Sequence, residues 1–211
     1  MNYVKYKVIN IMQTGGGSII PDINYNNELF IFTNFFSKSD FEKINNYVKD
    51  LKFKDDNRVK ARKTLCLSPT KYKNLYNIIY KNSKLKNIIS KINPEPYLEI
   101  PRFPMEYRIY PEGSSGMVWH TDTSLFSPDG IEVVLTIRND SSSTFNWKED
   151  NIIKSIKPQE NTLALVLPGT VSHSVSGTKN GSRTILKFVI DFKNSKPKLN
   201  EYKRELKNCP F

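Results

Sequence analysis

The sequence predicts a mainly β protein, a sandwich or jelly roll of short strands buttressed on one face by N-terminal helices. Two observations predict it. Apolar residues recur at helical spacing only in the first part of the chain, whereas after Asn93-Pro94-Glu95-Pro96 the chain breaks into short apolar runs divided by turn residues. Helices first and many strands afterwards is the order expected when helices cover one side of a β-sandwich. A length of 211 residues with 38 % apolar and 12 % aromatic residues suits one core. The expected division is an N-terminal arm or edge strand over residues 1–27 and one domain over residues 28–211.

Taken in order, residues 1–27 hold Gly15-Gly16-Gly17-Ser18, a flexible joint. Glu28–Phe32 reads as a short apolar strand. Ser37 or Ser39 can cap a helix whose apolar face is Phe41, Ile44, Val48 and Leu51. Thr64–Leu67 is a plausible strand, and Phe53–Lys63 a polar, mobile loop. Residues 69–92 read as one helical region with Leu75, Ile78, Ile79, Leu85, Ile88 and Ile89 inward. Strands are then expected at Met105–Tyr110, Gly116–Asp122, Ile131–Ile137, Thr162–Leu167, Val171–Val175 and Arg183–Phe192. Pro111-Glu112-Gly113, Pro128-Asp129-Gly130, Pro168-Gly169 and Asn180-Gly181 punctuate them.

Composition excludes several classes. No run is long enough to span a bilayer, and residues 1–13 lack the apolar core of a signal peptide. An intracellular, cytoplasmic protein is therefore expected, with no membrane partner. Cys66 and Cys209 provide neither a disulfide framework nor a cysteine metal cluster; they allow one bridge at most, and two reduced thiols are the leading expectation. The net charge is +11, but the lysines are dispersed and the basic run Arg58–Lys63 follows Asp55 and Asp56. Solvated faces rather than a nucleic-acid surface are expected.

The two histidines carry the chemistry. On a strand, His120 and Asp122 project to the same face. A third ligand is expected from a facing strand, and His173 is the remaining histidine. Two histidines and a carboxylate form a facial set that holds Fe(II) and leaves positions open. A hairpin turn centred near Thr178 would place His173 opposite Arg183, both pointing inward. Arg183 in that position suits bidentate capture of a carboxylate, as in 2-oxoglutarate; read alone, it could equally pair with Asp191 or lie at a strand end. By alternation Lys187 also points inward, and Trp119 outward as a packing residue.

From about Tyr107 to Phe192 the chain resembles the Fe(II)- and 2-oxoglutarate-dependent dioxygenases, in particular their prolyl 4-hydroxylase-like branch. The matching pieces are Tyr110-Pro111-Glu112-Gly113, Gly116–Asp122, Thr144-Phe145, Leu167-Pro168-Gly169 with His173, and Arg183 ten residues later. Leu29–Ile44 also resembles the branch's entry strand and first helix. The resemblance implies a double-stranded β-helix and iron bound by His120, Asp122 and His173. It implies 2-oxoglutarate held through its distal carboxylate by Arg183, with Tyr110 nearby, and ascorbate as an auxiliary reductant. The implied activity is hydroxylation of a C–H bond with succinate and CO₂ as coproducts, foremost prolyl 4-hydroxylation of a peptide or protein. Lysine, a small molecule or nucleic acid are alternative substrates; a cupin-like metal-binding non-enzyme is a further alternative. The nucleic-acid branch usually carries a second arginine six residues after the first, where this chain has Val189. Two further departures are Ile137–Phe145, which lacks the branch's tyrosine and paired glycines, and Lys187. No oligomeric state is readable.

Overall fold

The computed structural model describes residues 6–10, 13–14, 17–18, 28–53, 61–207 and 209. The chain starts with β1 (Tyr6–Asn10), β2 (Gln13–Thr14), β3 (Gly17–Ser18) and β4 (Leu29–Thr33). Helix α1 (Lys38–Val48) follows. Its start is set by Ser37, whose hydroxyl accepts the Asp40 backbone N–H, and its inner face is Phe41, Ile44 and Val48. Strand β5 (Lys63–Leu67) leads into α2 (Lys73–Tyr80) and α3 (Ser83–Ile92).

The single helical region expected over 69–92 is thus two helices. Asn82 takes an extended conformation between them and its side chain accepts the Leu85 N–H, so it starts a second helix rather than continuing the first. The expected loop at Phe53–Lys63 and the basic run at Arg58–Lys63 fall largely on residues 54–60, outside the described residues.

The β half contains β6 (Met105–Tyr110), β7 (Met117–His120), β8 (Phe126–Ser127) and β9 (Ile131–Asn139). It continues with β10 (Phe145–Glu149), β11 (Ile152–Ile156), β12 (Thr162–Val166) and β13 (His173–Val175). It closes with β14 (Arg183–Ile190), β15 (Lys196–Pro197) and α4 (Leu199–Lys207). The β10–β11 hairpin escaped the sequence reading. Its turn, Asp150-Asn151, takes positive φ at both residues, the conformation that matches the twist of two-residue hairpins.

Two sheets face one another, in the order β1-β4-β12-β9-β14-β6-β5 and β11-β10-β13-β7. This is the jelly roll expected from the strand census. Alternation on the larger sheet assigns the layers. Phe30, Phe32, Val133, Leu135, Leu163, Leu165, Leu186 and Phe188 turn outward and pack with Leu75, Ile79, Ile88 and other helix residues into the main core. Each fully buried side chain of this size contributes roughly 1.5–3 kcal/mol. Leu29, Ile31 and Val166 turn the other way, onto Phe145 and Trp147 of the smaller sheet. Strand β4 therefore reads as a continuous apolar run because both its faces are covered.

The expected hairpin between β13 and β14 does not form. β13 pairs with β7 and β10 in the smaller sheet, whereas β14 pairs with β6 and β9 in the larger. The turn at Asn180-Gly181 is real, with positive φ at both residues, but it belongs to a crossing between sheets. Thr178 explains why. It is buried, donates its N–H to Ser114 O, and accepts the Ser114 N–H at its hydroxyl, so the segment is tied to the β6–β7 loop.

The two cysteines are corrected as well. Cys66 on β5 and Cys209 after α4 lie 5.5 Å apart at Cα and are joined as a disulfide, not held as separate thiols. Their separation of 143 residues hides this proximity from the sequence. Among the described residues no helix is long and apolar enough to cross a membrane.

Candidate metal centre and its cavities

His120 ends β7 and stands directly opposite His173, the first residue of β13, in the antiparallel ladder. The third ligand thus comes from the adjacent hydrogen-bonded strand, not from a facing one. Cross-strand neighbours sit close enough for their side chains to interact, and the two imidazole rings lie 4.3 Å apart between centroids. Gly116 makes the approach possible. It has φ +75°, and a Cβ there would sit 2.2 Å from Val175 O.

Asp122 lies past the end of β7, outside regular structure. Its backbone carbonyl accepts the Gly169 N–H at 2.9 Å. The Pro168-Gly169 turn thereby fixes the carboxylate's backbone beside the strand that carries the second histidine.

The side chains converge. Asp122 Oδ1 is 3.8 Å from His120 Nε2, and Asp122 Oδ2 is 3.4 Å from His173 Nε2. All three ligand atoms lie within 4.8 Å of one another. Both imidazoles are oriented alike: Nδ1 of His120 is 2.8 Å from Val118 O, and Nδ1 of His173 is 3.0 Å from Val171 O. A carbonyl only accepts, so each Nδ1 carries the proton and each Nε2 presents a lone pair to the cluster. Burial lowers the pKa of His173, which favours that neutral form. Burial alone would raise the Asp122 pKa, but nearby positive charge, that of Lys187 foremost, outweighs it and holds the carboxyl below its usual value. Two imidazoles and one carboxylate on one side of an open space are a donor set that could hold a divalent metal ion.

The cluster opens into a cavity of about 700 Å³ between the sheets, walled by Ile31, Val134, Ala164, Val166 and Ile185 among others. Arg183 projects into it from β14. It is 3 % exposed, and its Nε and Nη1 are buried with no hydrogen-bond partner. Burial lowers its pKa, and Tyr110 is the group that opposes this. Asp191, the rival partner, is taken by Arg102 at 2.7 Å. An unpaired guanidinium in an apolar chamber is costly, and a planar carboxylate is what its fork matches. Tyr110 pairs with Arg183 across β6 and β14, and its hydroxyl donates to Met117 Sδ at 3.3 Å. Burial works against ionisation of Tyr110, but Arg108, Arg62 and Arg183 together hold its phenol below the usual range.

Lys187 also lies on the inner face, and here the structure adds what the sequence could not. Its Nζ is 3.0 Å from Glu132 Oε2 and 3.5 Å from Asp122 Oδ1. Burial opposes its charge, but Glu132 and Asp122 more than offset that and raise its pKa. Glu132 itself is pushed up to about 7 by burial, with Asp122 adding to the effect and Lys187 opposing it. A lone acid in the apolar run Ile131–Ile137 was the only available signal for Glu132. A second, open cavity is also lined by His120 and Asp122, with Arg62, Glu106, Arg108, Lys187, Arg204 and Glu205 on its walls.

No family profile and no curated protein matches this sequence. Solved structures do. A 2OG-Fe(II) oxygenase family oxidoreductase from Burkholderia pseudomallei aligns with a TM-score of 0.63, at 10 % identity, over 88 % of this chain and 95 % of that one. The fold is that of the 2-oxoglutarate- and Fe(II)-dependent oxygenases. The same oxygenase fold is seen in the Trichoplax adhaerens prolyl hydroxylase in complex with a hypoxia inducible factor peptide fragment, with a TM-score of 0.59 and 17 % identity over 84 % and 87 % of the two chains. It is seen again in HygX from Streptomyces hygroscopicus with nickel, 2-oxoglutarate and hygromycin B bound, with a TM-score of 0.60 and 9 % identity over 79 % and 84 %.

Proposed function

We propose that this chain is an Fe(II)- and 2-oxoglutarate-dependent dioxygenase that hydroxylates a C–H bond, with a prolyl residue of a peptide or protein as its foremost substrate. One observation carries the reading. The unpartnered guanidinium of Arg183 stands in the same apolar cavity as the His120, Asp122 and His173 donors. A small dicarboxylate that also carries a 2-oxo group would join the two ends.

His120, Asp122 and His173 would hold the iron, and Arg183 the distal carboxylate of 2-oxoglutarate, with Tyr110 beside it. When bound, iron, 2-oxoglutarate and O₂ supply the oxidising power, and succinate and CO₂ are released. The chain's own part is orientation and shielding. Val118 O and Val171 O fix the imidazole tautomers, Gly169 anchors Asp122, and Ile31, Val134 and Ile185 make the chamber wall apolar. Ascorbate would act as an auxiliary reductant from solution.

A small-molecule substrate is the second reading. The charged walls of the second cavity favour a polar guest over a proline ring, and the HygX structure has hygromycin B bound together with nickel and 2-oxoglutarate. Incubation with Fe(II), 2-oxoglutarate and proline-rich peptides should yield succinate and a gain of about 16 Da, one oxygen atom. His120→Ala should yield neither. Succinate formed without peptide oxidation would move the substrate to the small-molecule class. A wild-type protein that binds no divalent metal and forms no succinate would overturn the enzyme reading.

A further inference from the structure

Lys187 touches a donor of the metal cluster without being a donor itself. The two oxygens of Asp122 are both inside the cluster, Oδ2 at 3.4 Å from His173 Nε2 and Oδ1 at 3.8 Å from His120 Nε2. A carboxylate so placed can grip one ion through one oxygen or through both. A second acid stands beside it. Glu132 is 4 % exposed on β9, a diagonal neighbour of Lys187 across the β9–β14 ladder. The one ammonium serves both carboxylates, at 3.0 Å and 3.5 Å. That task suits lysine, whose compact head has three donors that can point to different acceptors.

We propose that Lys187 is a positioning residue that limits how many carboxylate oxygens the metal collects, and so keeps open the positions a chelating 2-oxo acid needs. It occupies Asp122 Oδ1, which leaves Oδ2 turned toward His173. It holds Glu132 in an ion pair, which keeps a fourth protein ligand out of the sphere. The proposal rests on the reading of His120, Asp122 and His173 as the metal site.

Co(II) serves as a stable optical probe of that site, with 2-oxoglutarate binding to the Co(II) form followed by calorimetry. In Lys187→Met, Co(II) should bind as tightly as in wild type or more tightly. Its visible bands should change as oxygen donors are added, and 2-oxoglutarate affinity should fall about tenfold. Glu132→Gln combined with Lys187→Met removes the fourth ligand but still frees Asp122 Oδ1, so affinity should fall by only about threefold. That double variant leaves no unpaired acid at position 132 and is the one to compare if the single variant does not fold. Wild-type bands and wild-type 2-oxoglutarate affinity in the variants would overturn the proposal, as would a loss of Co(II) affinity. Wild-type protein that binds no Co(II) would instead overturn the metal site on which the proposal rests.

Discussion

Arg183 and Lys187 sit four residues apart on β14, the first buried and the second half-buried, both turned into the space between the sheets. Among the described residues Arg183 has no ion-pair partner, and its Nε and Nη1 have no hydrogen-bond partner. Lys187 has two acids within 3.5 Å. The difference teaches how to read a buried cation. One that is already paired belongs to the protein's internal order, whereas one left unpaired in an apolar chamber is the candidate to bind an anion.

The comparison can be broken by stability measurements on metal-free protein. The largest expected effect is at the paired end. Lys187→Met leaves Glu132 buried without its cation and should lower the unfolding free energy by about 3 kcal/mol, measured by denaturant titration. No loss would mean that the lysine is not engaged as the distances indicate. Next comes the unpaired end. Arg183→Met should leave metal-free stability unchanged or raise it, because an uncompensated charge is removed. The same substitution should weaken 2-oxoglutarate binding about a hundredfold, near 2.7 kcal/mol, by calorimetry. Wild-type affinity in that variant would end the role given to Arg183.

The smallest effect is a slope. The pKa of Glu132 is raised from 4.5 to about 7 in the fold, so its contribution is complete below 4.5 and is lost as pH rises toward 7. Stability should therefore decline across that window by no more than about 1.4 kcal/mol per pH unit from this one proton. Glu132→Gln should flatten that decline. An identical pH profile in the variant would show that Glu132 is ionised like an ordinary surface acid.

The convergence of the candidate site was legible in the chain because the residues it brings together are scarce. With two histidines to place and Asp122 two positions from one of them, little freedom was left. The pattern showed that Arg183 and Lys187 face inward, since alternation survives whichever strand is the neighbour. Neighbours themselves were not legible. Asn180-Gly181 signals a turn equally well in a hairpin and in a crossing between sheets, and only the anchoring of Thr178 to the β6–β7 loop separates the two. Glu132 lies 55 residues before Lys187, and no local pattern ties an acid on one strand to an amine on another. The helix break at Asn82 and the β10–β11 hairpin were missed for a different reason. Each is decided by one or two polar residues inside a stretch whose apolar periodicity is unclear.

The bond between Cys66 and Cys209 has a topological consequence. It closes 66–209 into a covalent ring, and Tyr110, His120, Asp122, Glu132, His173, Arg183 and Lys187 all lie on that ring. A single backbone cleavage inside it opens the circle without releasing a fragment. Both clustered histidines and both inward cations would stay on one connected molecule, so a nicked chain keeps every residue of the candidate site together.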